Sequence, residues 1–71
     1  MEKIFLRDEF IKLGQLLKLA NLVESGAMAK EVIEDGCVKY NGEVEYRRGK
    51  KIYPGDIVEF NGESVTVANE N

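Results

Sequence analysis

The hydrophobic spacing changes abruptly at Gly36, and that change constrains the fold more than any other feature of the chain. Upstream, Phe10, Leu13, Leu16, Leu17 and Ala20 recur at helical intervals and share one face. Lys12, Gln15 and Lys18 fall outside that stripe. Gly14 within it weakens a helix by about 1 kcal/mol relative to alanine, which implies that something approaches the backbone closely there. Ser25-Gly26 reads as a second helix start, with the serine hydroxyl accepting from a first-turn N–H. Ala29, Val32 and Ile33 then lie on one face, Lys30, Glu31 and Glu34 outside it, and Gly36 suits the left-handed residue that closes a helix.

Downstream the period is two. Cys37-Val38-Lys39-Tyr40, Asn41-Gly42 and Glu43-Val44-Glu45 form a hairpin signal, because Asn-Gly accepts positive φ at both turn positions. Pro54-Gly55-Asp56 is a turn feeding Ile57-Val58-Glu59-Phe60, and Asn61-Gly62 leads into Ser64-Val65-Thr66-Val67. Ile4-Phe5-Leu6 reads as an edge strand before the helices, and the basic run between residues 46 and 53 as a loop. The expectation is an α+β domain over residues 1–71, with two short helices packed on a small, mainly antiparallel sheet of about four to five strands.

Several function classes fall away. The chain has no His and one Cys, so Ser-His-Asp and Cys-His catalysis, His-based zinc sites and internal disulfides have no residues to build them. No cofactor is expected, and no enzyme. Seventy-one residues leave little volume for a core and an enclosed substrate cleft together. The N-terminal residues carry no signal-like apolar run, and no stretch approaches the ~18 apolar residues of a membrane helix. A cytoplasmic monomer in a reducing compartment, with no membrane partner, is the expectation.

The net charge is −3, but it is unevenly spread. Residues 12–51 hold eight bases and six acids, whereas residues 52–71 hold four acids and no base. Four cations occupy five positions in Arg47-Arg48-Gly49-Lys50-Lys51, flanked by Tyr46 and Tyr53. Such a run offers counterion release against phosphate, with aromatic faces available to bases; it also reads as an ordinary solvated loop. Lys12 and Lys18 likewise read as the wet side of a helix. Tyr40, Tyr46 and Tyr53 read first as packing aromatics, Tyr46 also as a stacking platform. Cys37 is expected to be buried at a strand start, and Glu43 and Glu45 to share an exposed strand face.

Four pieces in order carry a resemblance: Lys12-Leu13-Gly14-Gln15-Leu16-Leu17-Lys18, Ser25-Gly26-Ala27-Met28-Ala29-Lys30, Gly36-Cys37-Val38-Lys39-Tyr40-Asn41-Gly42 and Pro54-Gly55-Asp56. Together, from about residue 4 to residue 68, they resemble the alpha-L RNA-binding motif. This is the module named after the fourth small-subunit ribosomal protein, here in its small stand-alone bacterial form (the YbcJ/YaaA type). The resemblance implies a non-catalytic, ribosome-associated module that binds structured RNA, ribosomal or transfer RNA among the candidates. The RNA backbone would lie along a basic face. Carried over residue by residue, it implies contacts from Lys12, Lys30 and Lys39 and from Arg47, Arg48, Lys50 and Lys51; Lys18 joins them on the same helix. Ser25 reads as a cap first and an RNA ligand second. Gly26 stands where the family commonly has Arg, and Gly14 where it commonly has Asp; both look like the stand-alone form.

Two other readings stay open. One is a protein-interaction adaptor that docks on a ribosome or RNA-processing complex. It is motivated by the acidic end from Asp56 to Glu70 and by Val65-Thr66-Val67 as a possible sheet edge. The other is DNA binding, which ranks below RNA because no helix presents base-reading residues in its first turn.

Overall fold

The computed structural model describes residues 2–70. Strand β1 (Glu2–Leu6) leads into a two-residue strand β2 (Ile11–Lys12), helix α1 (Leu13–Leu19) and helix α2 (Gly26–Glu34). Five strands follow: β3 (Val38–Tyr40), β4 (Glu43–Val44), β5 (Lys51–Ile52), β6 (Ile57–Phe60) and β7 (Glu63–Asn69). A five-stranded sheet runs β1-β7-β6-β3-β4, and β2 pairs with β5 as a separate two-stranded ribbon. All pairings are antiparallel except β1 with β7, which is parallel.

The α+β expectation of two helices on a mainly antiparallel sheet therefore holds, and β1 is an edge as expected. Val65-Thr66-Val67 is not an edge. It lies within β7, between β1 and β6, so its main-chain groups are used on both sides. The parallel partner on that side is supplied by the chain's first strand, a pairing of high sequence separation that local spacing does not reveal.

One core joins the layers. Leu13, Leu16, Leu17, Ala20, Ala29 and Ile33 of the helical half meet Leu6, Val38, Val58, Val65 and Val67 of the sheet, with Val23 and Ile52 closing the ends. The period-two alternation is obeyed: Val38, Val58, Val65 and Val67 are buried, and the residues between them are not. Asn41 and Gly42, then Asn61 and Gly62, all take positive φ, the signature of the tight hairpin turns expected.

Helix α2 is closed at both ends by local chemistry. Ser25 Oγ accepts from the Met28 N–H at 3.1 Å, a cap worth about 1 kcal/mol relative to alanine. At the other end Gly36 has φ +80, its N–H donates to Ile33, and the Cys37 N–H donates to Val32, the paired bonds of a Schellman motif. That motif corrects the expectation for Cys37. It is the residue just past the closure, Val38 next to it takes the inward position, and Cys37 is exposed.

Helix α1 departs further. Phe10 does not belong to it. Ile11 and Lys12 are extended because they pair with Ile52 and Lys51, and the helix starts only at Leu13. Phe10 instead leans on Tyr53, with ring centroids 5.9 Å apart. The basic run is correspondingly not all loop, since its last residues form β5.

Candidate nucleic-acid interface

Helix α1 has no side-chain cap: Lys12 occupies the N-cap position and offers no acceptor. Its first N–H groups still need partners. The basic run supplies them from its main chain: Leu13 N–H donates to Lys50 O at 2.9 Å and Gly14 N–H to Arg48 O at 3.1 Å. Gly14 is what lets the run come so close. A Cβ there would sit 2.8 Å from Arg48 Cγ and 3.4 Å from its Cδ. The close approach implied by Gly14, here the second residue of α1, is thus found, and the approaching group is a cationic side chain.

This docking gathers charge from distant parts of the sequence. Lys12 of β2, Gly14, Gln15 and Lys18 of α1, Arg48 and Gly49 of the run, and Gly26 at the start of α2 line a groove of about 350 Å³. A second hollow of about 480 Å³ shares Gly49 and is lined by Arg47, Lys50, Lys51, Tyr40 and Tyr53. Among the described residues neither lining contains a carboxylate. Lys12 and Lys51 stand directly opposite each other in the β2–β5 ribbon, an arrangement of like charges that destabilises a strand pair.

The individual cations of the run are posed by specific partners. Lys50 Nζ lies 4.8 Å from the Tyr40 ring centroid, and Lys51 Nζ lies 4.8 Å from that of Phe10, both within cation–π range. Tyr40 donates its hydroxyl to Asp56 Oδ2 at 3.2 Å. Burial, followed by the negative charge of Asp56, pushes the Tyr40 phenol above its ordinary value. Asp56 also accepts from the Tyr53 N–H at 2.8 Å and from Asn41 Nδ2 at 3.2 Å. The turn aspartate thereby ties the two tyrosines of the second hollow to one hairpin.

Glu45 corrects the expectation of an exposed acidic pair. Glu43 is exposed, but the Glu45 side chain is only 12% exposed and lies past the end of β4, folded against Arg47. Its Oε2 accepts from Arg47 Nε at 2.9 Å and from the Arg47 N–H at 3.1 Å, and its Oε1 from Nη2 at 3.1 Å. These bonds from the guanidinium, joined by the backbone N–H, hold the Glu45 carboxyl down from 4.5 to about 2. A group held lower in the folded state adds stability above its unfolded value, and that stability disappears as pH falls through the folded value. The Glu45 contribution is accordingly complete above pH 4.5 and lost between there and about 2. Carboxyl NMR titration should place the Glu45 midpoint near 2, and Glu45→Gln should flatten this part of the acid-unfolding profile.

Of the other expected contact residues, Lys30 stands one helical turn beyond Gly26 on the same side of α2 and is not part of the groove lining. Lys39 is placed elsewhere. It alternates with inward Val38, faces Glu59 and Val44 across its neighbours, and projects from the side of the sheet away from the helices. Tyr46 is 61% exposed, with its ring edge 3.2 Å from where a Gly36 Cβ would stand. Gln15, Gly26 and Gly49 line the groove without having stood out as contacts, because an amide and two glycines carry no charge signal.

Among the described residues no helix is long and apolar enough to cross a membrane, and no three His, Cys, Asp or Glu are grouped to hold a metal ion.

Comparison with known proteins adds to this geometry. The model of the S4 domain family matches residues 4–68. A Bacillus subtilis protein named "Probable ribosome maturation protein RlbA" is 48% identical over 59 residues, covering 83% of each chain. YbcJ of Escherichia coli is 49% identical over 57 residues, covering 80% of this chain and 81% of its own. The solution structure of YbcJ, described as revealing an alpha-L motif involved in RNA-binding, superposes with a TM-score of 0.73 at 43% identity, over 96% of this chain and 87% of that one.

Proposed function

The chain belongs to the S4 domain family, and on that footing we propose that it is a non-catalytic module that grips the phosphate backbone of structured RNA. The observation that carries this reading is the carboxylate-free double hollow around Gly49, which gathers Lys12, Lys18, Arg47, Arg48, Lys50 and Lys51. Opposing like charges such as Lys12 and Lys51 cost folding energy and are relieved by a polyanion. The relatives point the same way: one is named for ribosome maturation and another is described with an RNA-binding motif.

Phosphate contacts position an RNA and its shape selects it, so affinity should depend steeply on salt and weakly on sequence. Lys12, Lys18 and Arg48 serve the groove, with Lys30 beyond Gly26 and Lys50 and Lys51 beyond Gly49. Arg47 contributes less charge than its position suggests, because Glu45 already occupies its guanidinium. Lys39 has no part in this track; it would touch RNA only if the chain wrapped to the far side of the sheet. The adaptor reading loses its edge strand, because β7 is interior. Titrating a stem-loop RNA at several salt concentrations should give a slope of log affinity against log salt of roughly −3 to −5. A flat response would exclude the phosphate-gripping mechanism.

A further inference from the structure

A hollow of about 620 Å³ lies beside the cationic groove rather than in it, between the edge strand β1 and helix α1. Phe5, Phe10, Ile11 and Leu19 form apolar walls, and Phe5 and Leu19 are 58% and 59% exposed. Large apolar side chains left open in one cleft mark a binding surface. Gln15 and Lys18 line this cleft and the cationic groove alike, so the two adjoin along α1.

Charge identifies the occupant. The cleft also contains Asp8 and Glu70, with Arg7 Nε 3.3 Å from Glu70 Oε2. Carboxylates repel phosphate, whereas an uncharged ring with N–H donors at its edge fits apolar walls and acceptor oxygens together. We propose that this cleft receives one unpaired nucleobase of the RNA whose backbone lies in the groove, stacked on Phe5 and reached past Lys18. The proposal rests on the phosphate-gripping reading and adds a preference to it. Stem-loops and bulges carry a base that can leave the stack, and perfect duplexes do not.

The test compares a stem-loop RNA with a perfect duplex of the same stem at low salt, using Phe5→Ala, Leu19→Ala and Lys12→Glu/Arg48→Glu. Both cleft side chains are exposed, so their removal leaves the core intact. Each cleft variant should bind the stem-loop roughly tenfold more weakly, the scale of one lost base-stacking contact, and the duplex unchanged. Phe5→Trp should restore stem-loop binding. A fluorescent adenine analogue at one loop position should be quenched by wild type and not by Phe5→Ala. If the cleft variants leave both RNAs unaffected while the groove variant weakens both, the nucleobase assignment is overturned and the groove stands; a cleft that takes a protein segment gives this result. If the groove variant also binds both RNAs normally, the phosphate-gripping reading falls and the nucleobase assignment falls with it.

Discussion

Replacing Lys12 and Arg48 together by glutamate is expected to lower RNA affinity on the order of a hundredfold at low salt, and to reduce the salt slope by about two. Both residues line the carboxylate-free groove, and they come from segments far apart in the sequence. Reversal at this pair removes two counterion-release contacts and introduces repulsion where the phosphates run. The fold should persist, because the first N–H groups of α1 donate to the main-chain carbonyls of Arg48 and Lys50, which the substitution leaves in place. Fluorescence anisotropy across a salt series, with circular dichroism to check folding, measures both quantities. A folded double variant with wild-type affinity and slope would show that RNA, if bound, lies elsewhere.

A large stability effect is expected at Ile52. This side chain is fully buried, and it is the inward residue of β5, opposite Ile11. Ile52→Ala should cost about 2–5 kcal/mol. A domain of this length has roughly 4–11 kcal/mol in total at the usual per-residue stability, so the loss consumes much of it. The damage also reaches the interface, because β5 follows directly on the carbonyls that cap α1. Urea unfolding should show the lost stability, and amide exchange at Leu13 and Gly14 should speed up ahead of the sheet amides. A cost below about 1 kcal/mol, or unchanged protection at those amides, would separate β5 from the cap.

Much of this architecture can be read in advance from particular residues. The turns at Asn41-Gly42 and Asn61-Gly62, the cap at Ser25 and the closure at Gly36 are local chemistry, and each stands where its residues indicate. Gly14 signals a close approach without saying what approaches. The β2–β5 ribbon is hidden because it consists of two two-residue strands far apart in the chain, too short for any period to register. Its existence moves Phe10 out of the helix. The side of Lys39 follows from alternation once Val38 is known to be inward, but sharing a face with the other cations is a property of the whole fold. The Glu45–Arg47 clasp joins residues two positions apart and still escapes composition, because a charge count cannot tell which charges are already satisfied.

The helix cap made from the main-chain oxygens of Arg48 and Lys50 has an evolutionary consequence. A carbonyl is common to every amino acid, so the side chains of that segment can be exchanged without unfastening the helix beneath them. Descendants of such a scaffold are free to retune their grip on new targets at little risk to folding, which makes residues 47–50 the natural place to look for divergence among relatives and the first place to engineer it.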